Sequence, residues 1–155
     1  MSFPAESVLV NEASLSDFIQ SFENGTFPAT SWTHAAHVTM GAWYLLSLPA
    51  ADAATKIREG IARYNVAQGN QNTDESGYHE TLTIFWIAII RDALARLDAA
   101  MTKVEKVRAT VDEYGSRARL HQDYYSFDVV RSVAARKAWI PPDLLSLSTP
   151  LLCRQ

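Results

Sequence analysis

The sequence predicts a compact all-α bundle of five to six helices with an extended C-terminal tail. Apolar residues recur at helical spacing along most of the chain, capping and helix-stopping residues bound these stretches, and strand-like alternation is missing. A chain of 155 residues is long enough for one domain with a full-sized core. We therefore expect a single helical domain over residues 1–155.

The N-terminal part of the chain is expected to be the least regular. Residues 1–13 show no helical periodicity and are predicted to form a loosely ordered arm. A short first helix follows, capped by Ser14 or Ser16, and Asn24-Gly25 ends it.

The second and third helices have clear boundaries. The second helix is predicted from about residue 33 to residue 48, where Pro49 stops it. Its interior is apolar nearly all round, so deep burial is expected. The third helix, about residues 50–67, carries Ile57 and Ile61 on one face and charged residues on the other, which is typical of an amphipathic helix.

The second half of the chain alternates polar connections and helices. Residues 68–77 are rich in turn-forming residues and predict a polar loop. A fourth helix over about 78–100 is expected to be the central core element, and an amphipathic fifth helix covers about 102–114. A last helix over about 126–139 precedes an extended tail, residues 143–155, that we expect to lie across the bundle.

The charge and composition disfavour two classes of partner. A formal net charge of −3 and the absence of a basic run predict neither nucleic-acid binding nor attachment to an anionic membrane. The most apolar stretch, residues 84–90, is far shorter than the roughly 20 residues of a membrane span. The N-terminus resembles no secretion signal, and the single cysteine, Cys153, cannot form an intrachain disulfide. A soluble, cytoplasmic protein is expected.

Three of the four histidines fall in two short islands, residues 32–37 and 77–81, each at the expected start of an apolar helix. His34 and His37 are i, i+3 neighbours and share one helix face. One helix separates the islands, and short connections favour antiparallel neighbours, so the two helices that carry them should run parallel. His34, His37 and His79 are therefore expected at one end of the bundle.

Three imidazoles beside a carboxylate form a typical ligand set for a divalent metal ion. The dipoles at both helix starts disfavour imidazolium, and neutral imidazole is the form that binds a metal. We predict His34, His37 and His79 as metal ligands, with the metal left open among zinc, iron, copper, nickel and manganese. In the alternative, these histidines only bond to loop carbonyls at the helix starts. The role of His121 stays open.

Other residues beside the islands receive further predicted roles. Glu80 points about 100° away from His79 around the helix, so it is predicted as a general base that activates bound water and not as a shared ligand. Its alternative is a carboxylate that the helix dipole favours. Trp32, Asn72 and Tyr78 are predicted to contact substrate, although Asn72 also suits a turn.

The chain resembles, over nearly its whole length, a family of small uncharacterised bacterial all-helical proteins. The similarity lies in the Trp-Thr-His-Ala-Ala-His and Gly-Tyr-His-Glu-Thr motifs at 32–37 and 77–81, and in residues 58–65, 72–73 and 134–144. That resemblance implies no established activity. A weaker resemblance is to DinB-like helical bundles, which hold a metal with three histidines and often serve thiol transfer or hydrolysis. Their histidine pair is i, i+4 and late in the bundle, whereas here it is i, i+3 and early.

Three functions follow from these observations. The first is a metal-dependent enzyme, of hydrolase, transferase or oxygenase type, that acts on a small-molecule substrate through the three histidines. The second is a metal- or ligand-binding module without turnover. The third is a metal-free helical interaction protein, and a homodimer is compatible with a helical domain of this size.

Overall fold

Apolar side chains at helical spacing, bounded by capping residues, account for the helices of this chain. The computed structural model describes residues 4–147, and over that range the chain contains helices, turns and loops but no strand. The α-helices are α1 (Ala5–Val8), α2 (Glu12–Glu23), α3 (His34–Ser47), α4 (Ala50–Ala67), α5 (Glu80–Ala95), α6 (Lys103–Tyr114) and α7 (Val133–Lys137). Short 3-10 helices lie at Ala29–Ser31 and Leu120–Asp123. The all-α prediction is confirmed.

Side-chain caps define where several helices begin. The hydroxyl of Thr33 accepts a hydrogen bond from the backbone N–H of Ala36 at the start of α3. Thr102 and Glu105 form a reciprocal capping box at the start of α6. At the start of α2 the cap is Asn11, not Ser14 or Ser16, because the Asn11 side chain accepts the free N–H of Ser14.

Helix α3 occupies the middle of the bundle and packs against α4, α5 and α6. Its residues Val38, Met40 and Ala42 are almost completely buried. Gly41 allows a close approach to α5, since a Cβ atom built there would lie 2.9 Å from Cδ1 of Ile90. The two helices that carry the histidine islands are therefore held in direct contact.

The C-terminal third of the described chain covers the other face of α5. Phe85 and Ile89 of α5 form a second core cluster with Tyr125, Val129 and Ala135. Backbone and side-chain bonds fix this arrangement, because the hydroxyl of the buried Thr81 donates to the carbonyl of residue 138 and accepts from the N–H of residue 140.

Three predicted boundaries are wrong. The expected arm contains α1, and its Val8 and Leu9 belong to the core. The fourth predicted helix ends at Ala95, since the chain turns before the capping box of α6. The last helix spans only Val133–Lys137, because Ser132 caps it and the backbone N–H of Ser126 bonds instead to Asp143.

The predicted tail is described only in part. The backbone N–H of Leu144 bonds to the carbonyl of Tyr124, so the first residues of the tail lie beside the segment that precedes α7. Residues 148–155, with Cys153, lie outside the described residues. Between residues 4 and 147, no helix combines the length and apolar character that a membrane crossing needs.

Candidate functional site

A cavity of about 580 Å³ opens between α3, α4, α5 and the loop that precedes α5. This volume is typical of pockets that hold small organic ligands. Much of its wall is apolar, with Val38, Met40, Ile57, Ile61, Ile87 and Ile90. Polar side chains of the 70–77 loop lie at its exposed side. The cavity thus has an apolar interior and a polar edge.

The starts of α3 and α5 both contribute to this cavity. His34 and His37, on α3, line it together with His79, which immediately precedes α5. Trp32 and Tyr78, two of the predicted substrate-binding residues, line it as well. The two histidine islands therefore lie around one space.

His34 lies at the start of α3 with one ring nitrogen occupied. Its Nε2 is 3.1 Å from the carbonyl oxygen of Tyr114. Because a carbonyl only accepts, Nε2 carries the hydrogen and Nδ1 remains as an acceptor. Burial, with a smaller contribution from the neighbouring His37, lowers the pKa of His34 from 6.5 to about 4. The ring is therefore neutral at physiological pH.

His37 has the complementary orientation. Its Nδ1 donates to the carbonyl of Thr33 over 2.8 Å, which leaves Nε2 as the acceptor. The ring packs against the indole of Trp32, with centroids 4.2 Å apart. Burial lowers the pKa of His37, so this imidazole is neutral as well. Two neutral imidazoles of the same helix turn each retain one acceptor nitrogen.

His79 is different, because both of its ring nitrogens are used within the protein. Nε2 donates to the carbonyl of Val129 over 2.8 Å, and Nδ1 accepts the backbone N–H of Leu82 over 3.1 Å. The side chain thus caps α5 and ties it to the segment before α7. Binding a metal through His79 requires the loss of one of these two bonds. Burial lowers the pKa of this buried histidine too.

Glu80, the predicted base, lies in the first turn of α5 and is not among the residues that line the cavity. Its carboxylate accepts two hydrogen bonds from Arg58, from Nε over 2.8 Å and from Nη2 over 3.0 Å. The charge of this carboxylate also acts on the phenol of Tyr78. Burial, followed by the charge of Glu80, raises the pKa of the Tyr78 phenol to about 12. The phenol therefore keeps its proton at physiological pH.

Asn72, the third predicted substrate contact, organises the loop beside the cavity. Its Oδ1 accepts the backbone N–H of Tyr78 over 2.9 Å and the amide of Asn65 over 3.0 Å, and its Nδ2 donates to the carbonyl of Ala62 over 2.9 Å. Gly77 lies against it with a positive φ of 81°. Asn72 is exposed and does not belong to the cavity wall. Its side chain fixes the fold of the loop.

Some cavity residues were missed by the sequence analysis. Leu82, Thr83 and Trp86 follow His79 at intervals of three, four and seven residues, so they share its helix face and line the cavity. Trp86 packs on His34 with ring centroids 4.4 Å apart. Helical spacing from His79 was a signal that could have found all three.

The site offers imidazole acceptors, aromatic rings and apolar surface. Within residues 4–147, the structure contains no group of three or more His, Cys, Asp or Glu side chains arranged to hold a metal ion. The fourth histidine, His121, is buried, and its Nδ1 donates to the carbonyl of Ala118 over 3.2 Å. Comparison with protein-family models, curated proteins and solved structures gave no match, so the function must be inferred from this geometry.

Proposed function

We propose that this protein binds a small organic molecule in the cavity between α3, α4 and α5, with His34 and His37 as hydrogen-bond acceptors. One observation carries this proposal. In a largely apolar cavity of about 580 Å³, two neutral imidazoles each retain one nitrogen without a partner among the described residues. A few oriented polar groups on an apolar wall are the usual composition of a ligand site.

The orientation of the two rings supports binding with defined geometry. The carbonyls of Tyr114 and Thr33 each fix one nitrogen of a ring as the donor, and so fix its tautomer. Packing on Trp86 and Trp32 restrains the two ring planes. The acceptor nitrogens are therefore preorganised, which lowers the entropic cost of binding.

The protonation state favours binding over acid–base catalysis. A general base is most effective when its pKa lies near the working pH. With a pKa of about 4, His34 accepts a hydrogen bond at pH 7 but is a weak base. Among the functions expected from the sequence, this supports the second, a ligand-binding module without turnover.

A screen of small aromatic and aliphatic fragments tests the proposal. Binding is monitored through the NMR signals of the histidine ring nitrogens. We expect binding fragments to shift the signals of His34 and His37. Ile61→Trp, which fills the cavity from α4, should abolish binding, whereas Val66→Trp, an exposed position on the same helix, should not. Fragments that bind equally well to the Ile61→Trp protein would place the ligand elsewhere and refute the proposal.

A metal-dependent enzyme is the second candidate, supported by the i, i+3 spacing of His34 and His37 and by their neutral rings. Nδ1 of His34 and Nε2 of His37 would hold the ion, which would supply Lewis-acid chemistry when bound. Metal analysis of protein purified without an affinity tag tests this idea. Near-stoichiometric metal that is lost in His34→Ala and His37→Ala supports it, and metal-free protein after incubation with zinc, iron, copper, nickel or manganese contradicts it.

The predicted role of Glu80 has a separate test. Turnover of a metabolite panel by the native protein and by Glu80→Gln compares a base with a non-ionisable side chain of the same shape. A base role predicts loss of turnover in the variant. Unchanged rates would remove Glu80 from catalysis and leave it as the partner of Arg58.

A further inference from the structure

We infer that the ligand is an uncharged aromatic molecule that carries a hydrogen-bond donor. The inference rests on the proposed function, because it specifies which molecules the histidine-lined cavity would accept. Three properties of the cavity wall support it: its charge, its aromatic surface and the acceptor nitrogens of its two imidazoles.

The wall carries no charged side chain. None of the described residues that line the cavity is Asp, Glu, Lys or Arg. The nearby Arg58 and Glu80 neutralise each other through two hydrogen bonds. An ion moved from water into such a cavity loses hydration without gaining a counter-charge. The imidazoles give no compensation for an anion, since burial keeps His34 and His37 neutral.

The wall presents flat aromatic surfaces. Trp32, Tyr78 and Trp86 line the cavity beside the two imidazoles. Trp32 also stacks on Phe22, with ring centroids 4.9 Å apart, which ties it to the core. Rings held in this way offer stable faces and edges to another ring, whereas a flexible aliphatic chain would lose more conformational freedom on binding.

The wall offers hydrogen-bond acceptors. Nδ1 of His34 and Nε2 of His37 have no partner among the described residues, because the other nitrogen of each ring donates to a backbone carbonyl. Buried polar groups are rarely left unpaired, because the loss of their hydration is then uncompensated. A ligand N–H or O–H would satisfy the acceptor nitrogen of His34 or His37.

Four probes of similar size separate these properties. Indole-3-acetamide is uncharged and has donors and an acceptor, indole-3-acetate is an anion at pH 7.5, tryptamine is a cation at that pH, and naphthalene lacks polar groups. We expect indole-3-acetamide to bind at least about tenfold more tightly than either charged probe when affinities are measured by NMR titration. Equal or tighter binding of indole-3-acetate or tryptamine would overturn the inference.

His37→Phe isolates an acceptor nitrogen, because it keeps an aromatic ring without the imidazole nitrogens. We expect this variant to bind indole-3-acetamide about fivefold more weakly and naphthalene with unchanged affinity. Unchanged affinity for the amide would contradict the role of the imidazole acceptor.

The histidine ring signals distinguish this inference from the proposed function. If a charged probe shifts His34 and His37 as strongly as the amide does, the cavity binds ligands but its proposed selectivity is wrong. If no probe and no screened fragment shifts either ring, the proposed function itself is refuted.

Discussion

Arg58 and Glu80 form a two-point ion pair that joins the middle of α4 to the first turn of α5, with N–O distances of 2.8 and 3.0 Å. Only 14% of the Glu80 side chain is exposed, so this pair is better shielded than an ordinary surface salt bridge. The same carboxylate also lies at the positive end of the α5 dipole. Glu80 therefore has a structural role whether or not it has a chemical one.

Loss of the Arg58–Glu80 ion pair should destabilise the protein, and the costs of removing the two side chains should not be additive. We expect Glu80→Gln and Arg58→Met each to lower the free energy of unfolding by about 1–2 kcal/mol, because each leaves a partner without its ionic hydrogen bonds. The double variant should cost less than the sum of the two single variants. Urea unfolding measures all three, and strictly additive losses would contradict an energetic coupling between the two side chains.

His79 should respond to substitution as a helix cap. We expect His79→Ala to lower the free energy of unfolding by about 2–3 kcal/mol, because it removes the cap of Leu82 and the bond to Val129. His79→Asn can still accept the N–H of Leu82, so it should cost about 1 kcal/mol less than alanine. Thermal or urea unfolding makes the comparison. Equal losses for the two variants would show that capping is not what His79 contributes.

Stability should fall as the pH falls from 7.5 to 5. The folded-state pKa values of all four histidines lie below 6.5, chiefly because of burial. Below pH 6.5 the unfolded chain therefore binds protons that the folded chain does not. This contribution is fully present above pH 6.5 and is lost progressively toward pH 4, where His34 titrates in the folded protein.

His34 allows this pH dependence to be assigned. Because its ring is partly exposed, solvent screens the effect, and we expect on the order of 1–2 kcal/mol from it across the full range. Unfolding by urea at pH 7.5 and pH 5 should show a smaller difference in His34→Gln than in the native protein. The interval avoids most carboxylate titration. Equal stability of the native protein at both pH values would be inconsistent with buried neutral histidines.

Gly77 should tolerate substitution less well than Gly69. Both have a positive φ, 81° and 85°, so alanine brings strain of about 1–2 kcal/mol at either position. At Gly77 the added Cβ would also lie 2.6 Å from the carbonyl oxygen of Gln71 and 2.7 Å from Oδ1 of Asn72, whereas nothing lies within 4 Å at Gly69. We expect Gly77→Ala to cost about 1–3 kcal/mol more in urea unfolding than Gly69→Ala. Similar costs would mean that the loop shifts to accommodate the methyl group.

The helices whose ends are marked by helix-stopping or capping residues were predicted well. Helix α4 begins immediately after Pro49 and spans the residues expected for it, and α6 (Lys103–Tyr114) agrees to within one residue with the helix expected over about 102–114. The last helix was predicted too long because local propensity cannot reveal that the N–H of Ser126 bonds to Asp143, 17 residues away. Local signals define an element only where no distant group competes for its backbone.

The site was predictable in position but not in its hydrogen bonding. Helix connectivity indicated that His34, His37 and His79 would lie near one another, and all three line the cavity. The carbonyls that occupy His34 and His79 come from Tyr114 and Val129, which are 80 and 50 residues away in sequence. No spacing rule identifies such partners, so the sequence could not show which nitrogens stay free.

The contact between Gly41 and Ile90 has a consequence for the evolution or engineering of this protein. Both residues line the cavity, and a methyl group at position 41 would displace the end of the Ile90 side chain. The volume of the cavity can therefore be changed by a single substitution between small aliphatic residues where α3 and α5 cross, with every imidazole and indole left in place. Under the proposed function, the preference for larger or smaller ligands would then be adjustable independently of their polarity.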